Sequence, residues 1–145
     1  MLALIQRVTS AKVEIADKVA GEINQGLLVF LGIEKEDSRE QAEKLLNKIL
    51  AYRVFSDSED KMNLSVREIN GGLLIVSQFT LAADTERGLR PSFSSAKPPR
   101  QAQVLYELFC EQAASLHDNV ATGEFAADMK VSLTNDGPVT FLLKS

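Results

Sequence analysis

The sequence predicts a layered α/β domain with a mixed β-sheet and two main helices. Three observations support this prediction: strand-like segments are grouped at both ends of the chain, two helical patterns lie between these groups, and one apolar strand separates the helices. Elements in this order pack in layers around one core. The chain contains no internal repeat or low-complexity segment, so we expect residues 1–145 to form a single domain.

The first part of the chain is predicted to form strands. Alternating polar and apolar residues indicate strands at 2–9 and 11–16, and a further strand at 18–25. Residues 27–33, which follow Gly26, are continuously apolar and β-favouring, as is typical of a strand covered on both faces. We expect this segment to lie at the centre of the sheet.

The first helix follows an acidic stretch. Ser38 and Gln41 have the spacing of a capping box, and the helix is expected to end near Phe55, before a second polar stretch. Its apolar residues recur on one stripe, as a core-facing helix requires. The members of this stripe are Ala42, Leu45, Leu46, Ile49 and Leu50.

The second helix is preceded by another buried strand, predicted at 73–78. A loop of about fifteen residues separates the two, which is long for a compact domain and therefore indicates a functional role. Pro98 and Pro99 then open a helix over 100–117. Its inward-facing residues are predicted to be Val104, Leu105, Leu108, Phe109 and Leu116.

The C-terminal part contains strand-like segments at 119–125, 129–134 and 139–143. The last two flank an Asp-Gly-Pro sequence. An Asp-Gly pair between two β-like runs normally closes a tight hairpin, but the next residue must then donate its N–H, and Pro138 has none. We therefore expect Gly137-Pro138 to be a rigid backbone presented to another group.

The composition is that of a globular protein, with 45% hydrophobic and 25% charged residues. The N-terminal residues lack the layout of a signal peptide, and the apolar runs are too short to span a bilayer. A single cysteine, Cys110, excludes an internal disulfide. We expect a cytoplasmic protein with no membrane partner.

The charge distribution is uneven. A net charge of −4 argues against a surface that binds nucleic acid all over, and no DNA partner is expected. However, the segment from Arg87 to Arg100 contains four cations and no acid. Such a patch can neutralise several phosphates, although a solvated basic loop is the simpler alternative. The four cations are Arg87, Arg90, Lys97 and Arg100.

Familiar catalytic and cofactor-binding patterns are missing. His117, the single histidine, lies at a predicted helix end, where an imidazole more often stabilises the helix dipole than catalyses a reaction. Cys110 lies among apolar residues and is interpreted as a core residue. One histidine and one cysteine do not match zinc-site spacings, and no glycine-rich phosphate loop occurs. We expect neither a metal nor a cofactor.

Hydroxyl, amide and backbone groups remain as candidates. Ser77, Gln78 and Thr80 follow a buried strand, at the position where α/β sheets expose strand ends to ligands. A hydroxyl there can bind a ligand, and successive backbone N–H groups can stabilise an oxyanion. The alternative is an edge turn in which Thr80 bonds to its own backbone.

At these residues the chain resembles the D-aminoacyl-tRNA deacylases, formerly described as D-tyrosyl-tRNA deacylases. The resemblance extends over essentially the whole length and is specific in two segments. These are Ser77-Gln78-Phe79-Thr80-Leu81 and Asn135-Asp136-Gly137-Pro138-Val139-Thr140. It implies a barrel-like sheet and a homodimer that hydrolyses the ester of D-aminoacyl-tRNA in translation quality control. Glycyl-tRNA mischarged on tRNA-Ala is an implied further substrate.

The resemblance also implies roles for individual residues. The Gly137-Pro138 bond would be cis, and its carbonyls would enter the partner subunit's pocket and exclude L-amino acids sterically. The Phe79 N–H would stabilise the oxyanion, while the tRNA 2′-hydroxyl assists the attack. Further pocket and contact residues implied in this way are Ser77, Gln78, Thr80, Phe125, Met129 and Arg7, with Arg87, Arg90, Lys97 and Arg100 at the tRNA phosphates.

Three alternatives stay open. Thr80 could be a covalent nucleophile, although no activating base is evident near it in the sequence. Phe125 and Met129 could be an ordinary strand aromatic and a core methionine. The whole chain could instead be a metal-free nucleic-acid-binding module of the same fold, without turnover.

Overall fold

The computed structural model describes residues 1–145 and confirms a mixed α/β fold with two α-helices. The N-terminal elements are β1 (Leu2–Ile15), β2 (Lys18–Ile23), β3 (Gly26–Gly32), α1 (Arg39–Ala51), β4 (Phe55–Ser56) and β5 (Met62–Leu64). The C-terminal elements are β6 (Gly72–Ser77), a 3-10 helix (Phe79–Ala82), α2 (Pro99–Leu116), β7 (Val120–Thr122) and β8 (Lys130–Lys144).

Six of the strands form one mixed sheet in the order β2-β1-β3-β6-β7, with β8 also paired to β1. β1 is antiparallel to β2, β3 and β8, whereas β6 is parallel to both β3 and β7. The two ends of this order come back together, because a Cβ atom on Gly21 of β2 would lie 2.8 Å from the carbonyl oxygen of Thr122 in β7. The sheet is therefore a nearly closed barrel, as expected.

Two separate hydrophobic cores cover the central strands. Leu27 and Val29 of β3, with Ile75 of β6, belong to a cluster of 22 buried residues that includes the inner faces of both helices. Leu28 and Leu74 point to the other face and join a cluster of seven. The prediction that the apolar segment near residue 30 forms a central strand covered on both faces is confirmed.

The start of α1 was predicted correctly, but its end was not. Ser38 and Gln41 form the expected capping box, and the five predicted stripe residues are all buried. The helix ends at Ala51, because the next residue, Tyr52, adopts an extended backbone with φ −71° and ψ 128°. Phe55 begins the short β4 strand instead, which pairs with β5.

The long antiparallel pair of β1 and β8 corrects the strand prediction at both ends of the chain. β1 is one strand where two were predicted, since Ser10 continues the pairing by lying opposite Thr134. β8 is likewise continuous through 130–144. In this pair, Arg7 alone lies opposite the four residues 136–139, which form a bulge in β8.

The inner face of α2 was also predicted only in part. Phe109 is fully buried, but Val104 is 65% exposed and Leu116 is 48% exposed. The other buried positions of the helix are Ala102, Tyr106 and Ala113. Small residues bring a helix close to its neighbours, and an apolar-residue count does not detect this contribution.

The N-terminal ammonium group is part of a buried ion cluster. The Met1 nitrogen lies 2.5 Å from Asp37 Oδ1 and 3.0 Å from Glu34 Oε2, and it donates to Ser145 Oγ at 3.0 Å. Burial acts to raise the pKa of Glu34. The hydrogen bond and charge of the ammonium, together with Lys144, outweigh it, and the net pKa is lowered.

We expect Glu34→Gln to remove part of the acid sensitivity of the fold. The folded pKa of Glu34 is lowered, so its stabilising contribution is present above the ordinary carboxyl pKa of about 4.5 and is lost as the pH falls through the folded value. At pH 7 the variant should melt about 2–5 °C below the parent protein, and the gap should close as the pH falls through the lowered pKa of Glu34. Thermal unfolding followed by circular dichroism over a series of pH values from neutral to acid tests this; a gap that is independent of pH contradicts it.

Candidate active site at the end of β6

A cleft of about 700 Å³ opens where β6 ends. One wall is formed by Ser77, Gln78 and Phe79, and the facing walls come from residues 93–99 and 125–131. Its volume is in the range of small-molecule sites, and most of its lining is hydrophobic. The cleft brings together six of the predicted site residues: Ser77, Gln78, Phe79, Lys97, Phe125 and Met129.

The first wall follows from the way the chain leaves β6. The Gln78 N–H donates to the Leu31 carbonyl at 2.8 Å, and the chain then enters the 3-10 helix. Gly32 allows this helix to approach β3, because a Cβ atom there would lie 2.8 Å from Leu81 Cβ. Phe79 is the first residue of the 3-10 helix, where an N–H group has no partner within the helix and is available to a ligand.

Thr80 lies next to the cleft but not in its lining. Its side-chain oxygen accepts a hydrogen bond from Gln78 Nε2, and the residue is exposed. The alternative of a bond to its own backbone is therefore wrong for the Thr80 hydroxyl. The hydroxyl contacts an amide and no group that could act as a base.

The opposite wall is positioned by Tyr106 of α2. Its hydroxyl lies 3.0 Å from the carbonyl oxygens of both Ile75 and Gly123, and its ring is 5.9 Å from that of Phe125. Burial raises the pKa of Tyr106, so the hydroxyl keeps its proton and remains a donor. Met129 packs on Gly123, where a Cβ atom would lie 2.6 Å from its sulfur.

Charged groups are few in the cleft. Lys97 Nζ donates to the Lys35 carbonyl at 2.7 Å, and Asp128 is paired with Lys130 at 3.1 Å. The amino end of α2 also reaches the cleft through Pro98 and has no acidic residue in its first turn, so the helix dipole favours an anion there. His, Cys, Asp and Glu side chains form no group of three or more placed to hold a metal ion.

His117 and Cys110 lie outside this cleft. His117 is buried, with Nε2 2.6 Å from the Gly71 carbonyl oxygen at the end of α2. Burial raises the pKa of Cys110 to about 11, so the thiol stays protonated at neutral pH. Both residues have surroundings that fit structural roles.

Gly137 and Pro138 form a second group, in the bulge of β8, and do not line the cleft of their own chain. Their peptide bond is cis, and both residues are exposed. The Asn135 side-chain oxygen accepts from the Val139 N–H at 3.1 Å, which supplies the bond that proline cannot make. Arg7 braces the bulge, donating through Nε to the Asp136 carbonyl at 3.0 Å.

Of the remaining basic residues, Arg87 and Arg90 lie on the loop between the 3-10 helix and α2, and Arg100 lies in the first turn of α2. Arg87, Arg90 and Arg100 are exposed and form no ion pair. They are free to meet an anionic partner. None of the helices is both long and apolar enough to cross a membrane.

Comparisons with known proteins identify the family of the chain. A family model described as D-Tyr-tRNA(Tyr) deacylase matches residues 4–144. The chain belongs to this deacylase family. Two relatives, each named D-aminoacyl-tRNA deacylase, cover 99% of both chains: one from Cellvibrio japonicus is 60% identical over 144 residues, and one from Pseudoalteromonas translucida is 63% identical over 143 residues.

Solved structures extend the likeness. One described as c-Myc DNA Unwinding Element Binding Protein has a TM-score of 0.96 and 39% identity, covering 100% of this chain and 99% of the other. A second, described as a probable eukaryotic D-amino acid tRNA deacylase, has a TM-score of 0.86 at 17% identity, covering 99% and 98%. Because the identity to the second structure is 17%, this likeness supports the fold of the chain and not its activity.

Two residues that shape this cleft were not found from the sequence: Phe93, which lines it, and Tyr106, which supports the wall at Phe125 without lining it. Tyr106 has a helical spacing that looks like any core position, and its two carbonyl contacts come from distant strands. Phe93 lies in an irregular segment with no periodic pattern. The long loop around Phe93 was the one available signal, since such loops are often functional.

Proposed function

We propose that this chain hydrolyses the ester of D-aminoacyl-tRNAs and releases the D-amino acid and tRNA. The observation that carries the proposal is the family match together with the open cleft at Ser77, Gln78 and Phe79. The relatives' names state this activity, and they share about 60% of their residues with this chain over its full length. A cytoplasmic location follows from a tRNA substrate.

The cleft suits the aminoacylated 3′ end of a tRNA. Its apolar lining can hold an amino-acid side chain and a nucleoside, whereas Lys97 and the amino end of α2 add positive charge, and Arg100 is exposed in the first turn of that helix. Phosphate contacts of this type position a substrate without reading its sequence. Many different tRNAs should therefore be accepted.

The proposed chemistry relies on positioning and on backbone electrostatics. Water attacks the ester carbonyl, the bond to the ribose oxygen breaks, and that oxygen takes up the proton, assisted by the neighbouring 2′-hydroxyl of the substrate. The Phe79 N–H stabilises the oxyanion that forms on the carbonyl. Ser77 and Gln78 hold the ester in place, and such positioning can supply a large part of the rate enhancement.

Chiral selection is proposed to require a second copy of the chain. Gly137 and Pro138 are exposed and do not line their own cleft, and in the proposed homodimer they would be presented to the partner's cleft. β8 pairs only with β1, which leaves a long free edge that also exposes Leu142 by 59%. The inserted backbone would occupy the space of an L side chain. Glycine has no side chain, so glycyl-tRNA-Ala should also be cleaved.

The proposal is tested by incubating the protein with D-tyrosyl-tRNA and L-tyrosyl-tRNA and measuring the released amino acid. We expect rapid release of D-tyrosine and at least a hundredfold slower release of L-tyrosine. Release of neither amino acid would refute the proposed activity. Equal release of both would refute the chiral selection alone.

We expect Thr80→Ala to retain turnover within about tenfold of the parent, because the Thr80 hydroxyl bonds to an amide and has no base to activate it. Loss of a true nucleophile would lower kcat far more, by about 10⁴-fold or beyond. Steady-state kinetics with D-tyrosyl-tRNA distinguish the two. A trapped acyl-enzyme in the parent, absent in Thr80→Ala, would establish the nucleophile instead.

DNA binding without turnover is the second candidate function. The structural neighbour at 39% identity is described as a DNA-element-binding protein, and this is the observation that favours it. Fluorescence anisotropy with single-stranded DNA, competed by uncharged tRNA, tests this candidate. Tight DNA binding that tRNA does not displace would support it over the deacylase.

A further inference from the structure

Two exposed aromatic rings form the mouth of the cleft. Phe79 is 60% exposed and Phe93 is 42% exposed, and their ring centroids lie 5.0 Å apart at an interplanar angle of 47°. Leaving two phenyl rings partly in water forgoes apolar burial, so such a pair at a cleft marks a surface that receives a partner. We call Phe79 and Phe93 together the aromatic shelf.

Phe93 is held in place by backbone hydrogen bonds on both sides. Ser92 exchanges two bonds with Asp84, at 2.8 and 2.9 Å. The Phe93 carbonyl accepts from the Ala96 N–H at 3.1 Å, and the Ser95 carbonyl accepts from the Lys35 N–H at 2.8 Å. The aromatic shelf is therefore a fixed feature of the cleft.

The charges around the aromatic shelf favour an anionic partner. Phe93 lies in the acid-free segment between Arg87 and Arg100, and Lys97 shares the cleft with it. Aromatic faces next to cations are the means by which proteins bind single-stranded nucleic acid, since every base has a π-face and every nucleotide a phosphate. Asp128, on the opposite wall, already has Lys130 as its partner.

We propose that Phe93 stacks against the base that precedes the aminoacylated terminal nucleotide of tRNA. This inference rests on the proposed function, in which the terminal nucleotide and the ester occupy the cleft beside Ser77 and Gln78. The 3′ end of tRNA is single-stranded, so the next base reaches the mouth of the cleft unpaired. The aromatic shelf then fixes the direction in which the strand enters, and the cations neutralise the phosphate between the two nucleotides.

Phe93→Ala tests this inference on two substrates: D-tyrosyl-tRNA, and the D-tyrosyl ester of adenosine, which lacks the preceding base. We expect KM for the tRNA substrate to rise about tenfold with little change in kcat, and kinetics on the adenosine ester to stay unchanged. Phe93→Tyr should restore the parent KM. Val104→Ala, at an exposed apolar position of α2 outside the cleft, is the matched control and should change neither.

Other results overturn the inference. Equal losses on both substrates would place Phe93 in the aminoacyl pocket, and unchanged kinetics on both would remove it from the substrate path. The affinity for uncharged tRNA provides a separate readout, because it needs no turnover and should fall by the same factor of about ten. If the parent hydrolyses neither substrate, the proposed function fails, while this affinity still decides whether Phe93 contacts the tRNA.

Discussion

Gly137→Ala is expected to lower the ratio of kcat/KM for D- over L-tyrosyl-tRNA by about tenfold or more. Gly137 has φ +131°, which L residues rarely adopt, and an added Cβ would lie 2.7 Å from Val139 Cγ2 and 3.0 Å from the Arg7 guanidinium. The bulge must therefore change shape, and with it the Gly137-Pro138 backbone that is proposed to exclude L-amino acids, which we call the gate. Small displacements at a site of this kind have large kinetic effects.

Gly88→Ala is the matched control for this experiment. Gly88 also has positive φ, at +71°, but nothing lies within 4 Å of an added Cβ. For Gly88→Ala, the ratio of kcat/KM for D- over L-tyrosyl-tRNA should equal that of the parent. Arg7→Lys disturbs the same bulge without changing Gly137. A single ammonium group cannot keep the bonds that the Arg7 guanidinium makes to the carbonyls of both Asp136 and Val54. A folded Gly137→Ala protein with the parent's ratio would refute the gate.

Gly26→Ala is expected to have the largest effect on stability, with a loss on the order of 3 kcal/mol or more in the free energy of unfolding. A Cβ atom on Gly26 would lie 1.9 Å from the Gly72 carbonyl oxygen and 2.6 Å from the Gly72 nitrogen. These are backbone atoms of paired strands, so no side chain can move to make room. The strands β3 and β6 would have to separate at their first residues.

Urea denaturation monitored by circular dichroism measures this loss. Gly88→Ala again serves as the control, because its cost is limited to the left-handed backbone, about 1 kcal/mol. Since β6 leads into the cleft, the Gly26→Ala protein should also lose activity at temperatures where it remains partly folded. Equal unfolding midpoints for the two variants would show that the Gly26–Gly72 approach relaxes easily.

The parts of the fold that depend on local patterns were predictable. The capping box at Ser38 and the continuous apolar runs of β3 and β6 each depend on residues that are close together in the sequence, and the structure confirms them. The continuity of β1 through Ser10 was not predictable, because it depends on β8, more than a hundred residues away. The burial of Ala102 and the exposure of Val104 likewise depend on how α2 packs against the rest of the domain.

The candidate site likewise contains residues that could be predicted from local sequence and residues that could not. Ser77, Gln78 and Phe79 adjoin one another in sequence, so their position at the end of a buried strand could be deduced. Phe93 is placed in the cleft by the bonds between Ser92 and Asp84 and by the bond from the Ala96 N–H to its own carbonyl, and no periodicity encodes these bonds. The relation of Gly137 to the cleft could not be deduced from one chain, since the proposed contact involves a second.

The wall of the cleft at β6 and the loop segment 85–91, which precedes Phe93 and does not line the cleft, should differ in how often they open. β6 lies between both cores, and its residues up to Val76 are buried, so its amide hydrogens should exchange with solvent only when the whole domain unfolds. Residues 85–91 are exposed and have few hydrogen bonds, so they should exchange within the native state. The segment 85–91 would then open locally beside the cleft, while the wall at β6 and the aromatic shelf stay fixed. Under the proposed function, the groups that stabilise the oxyanion stay in place while the incoming strand is selected.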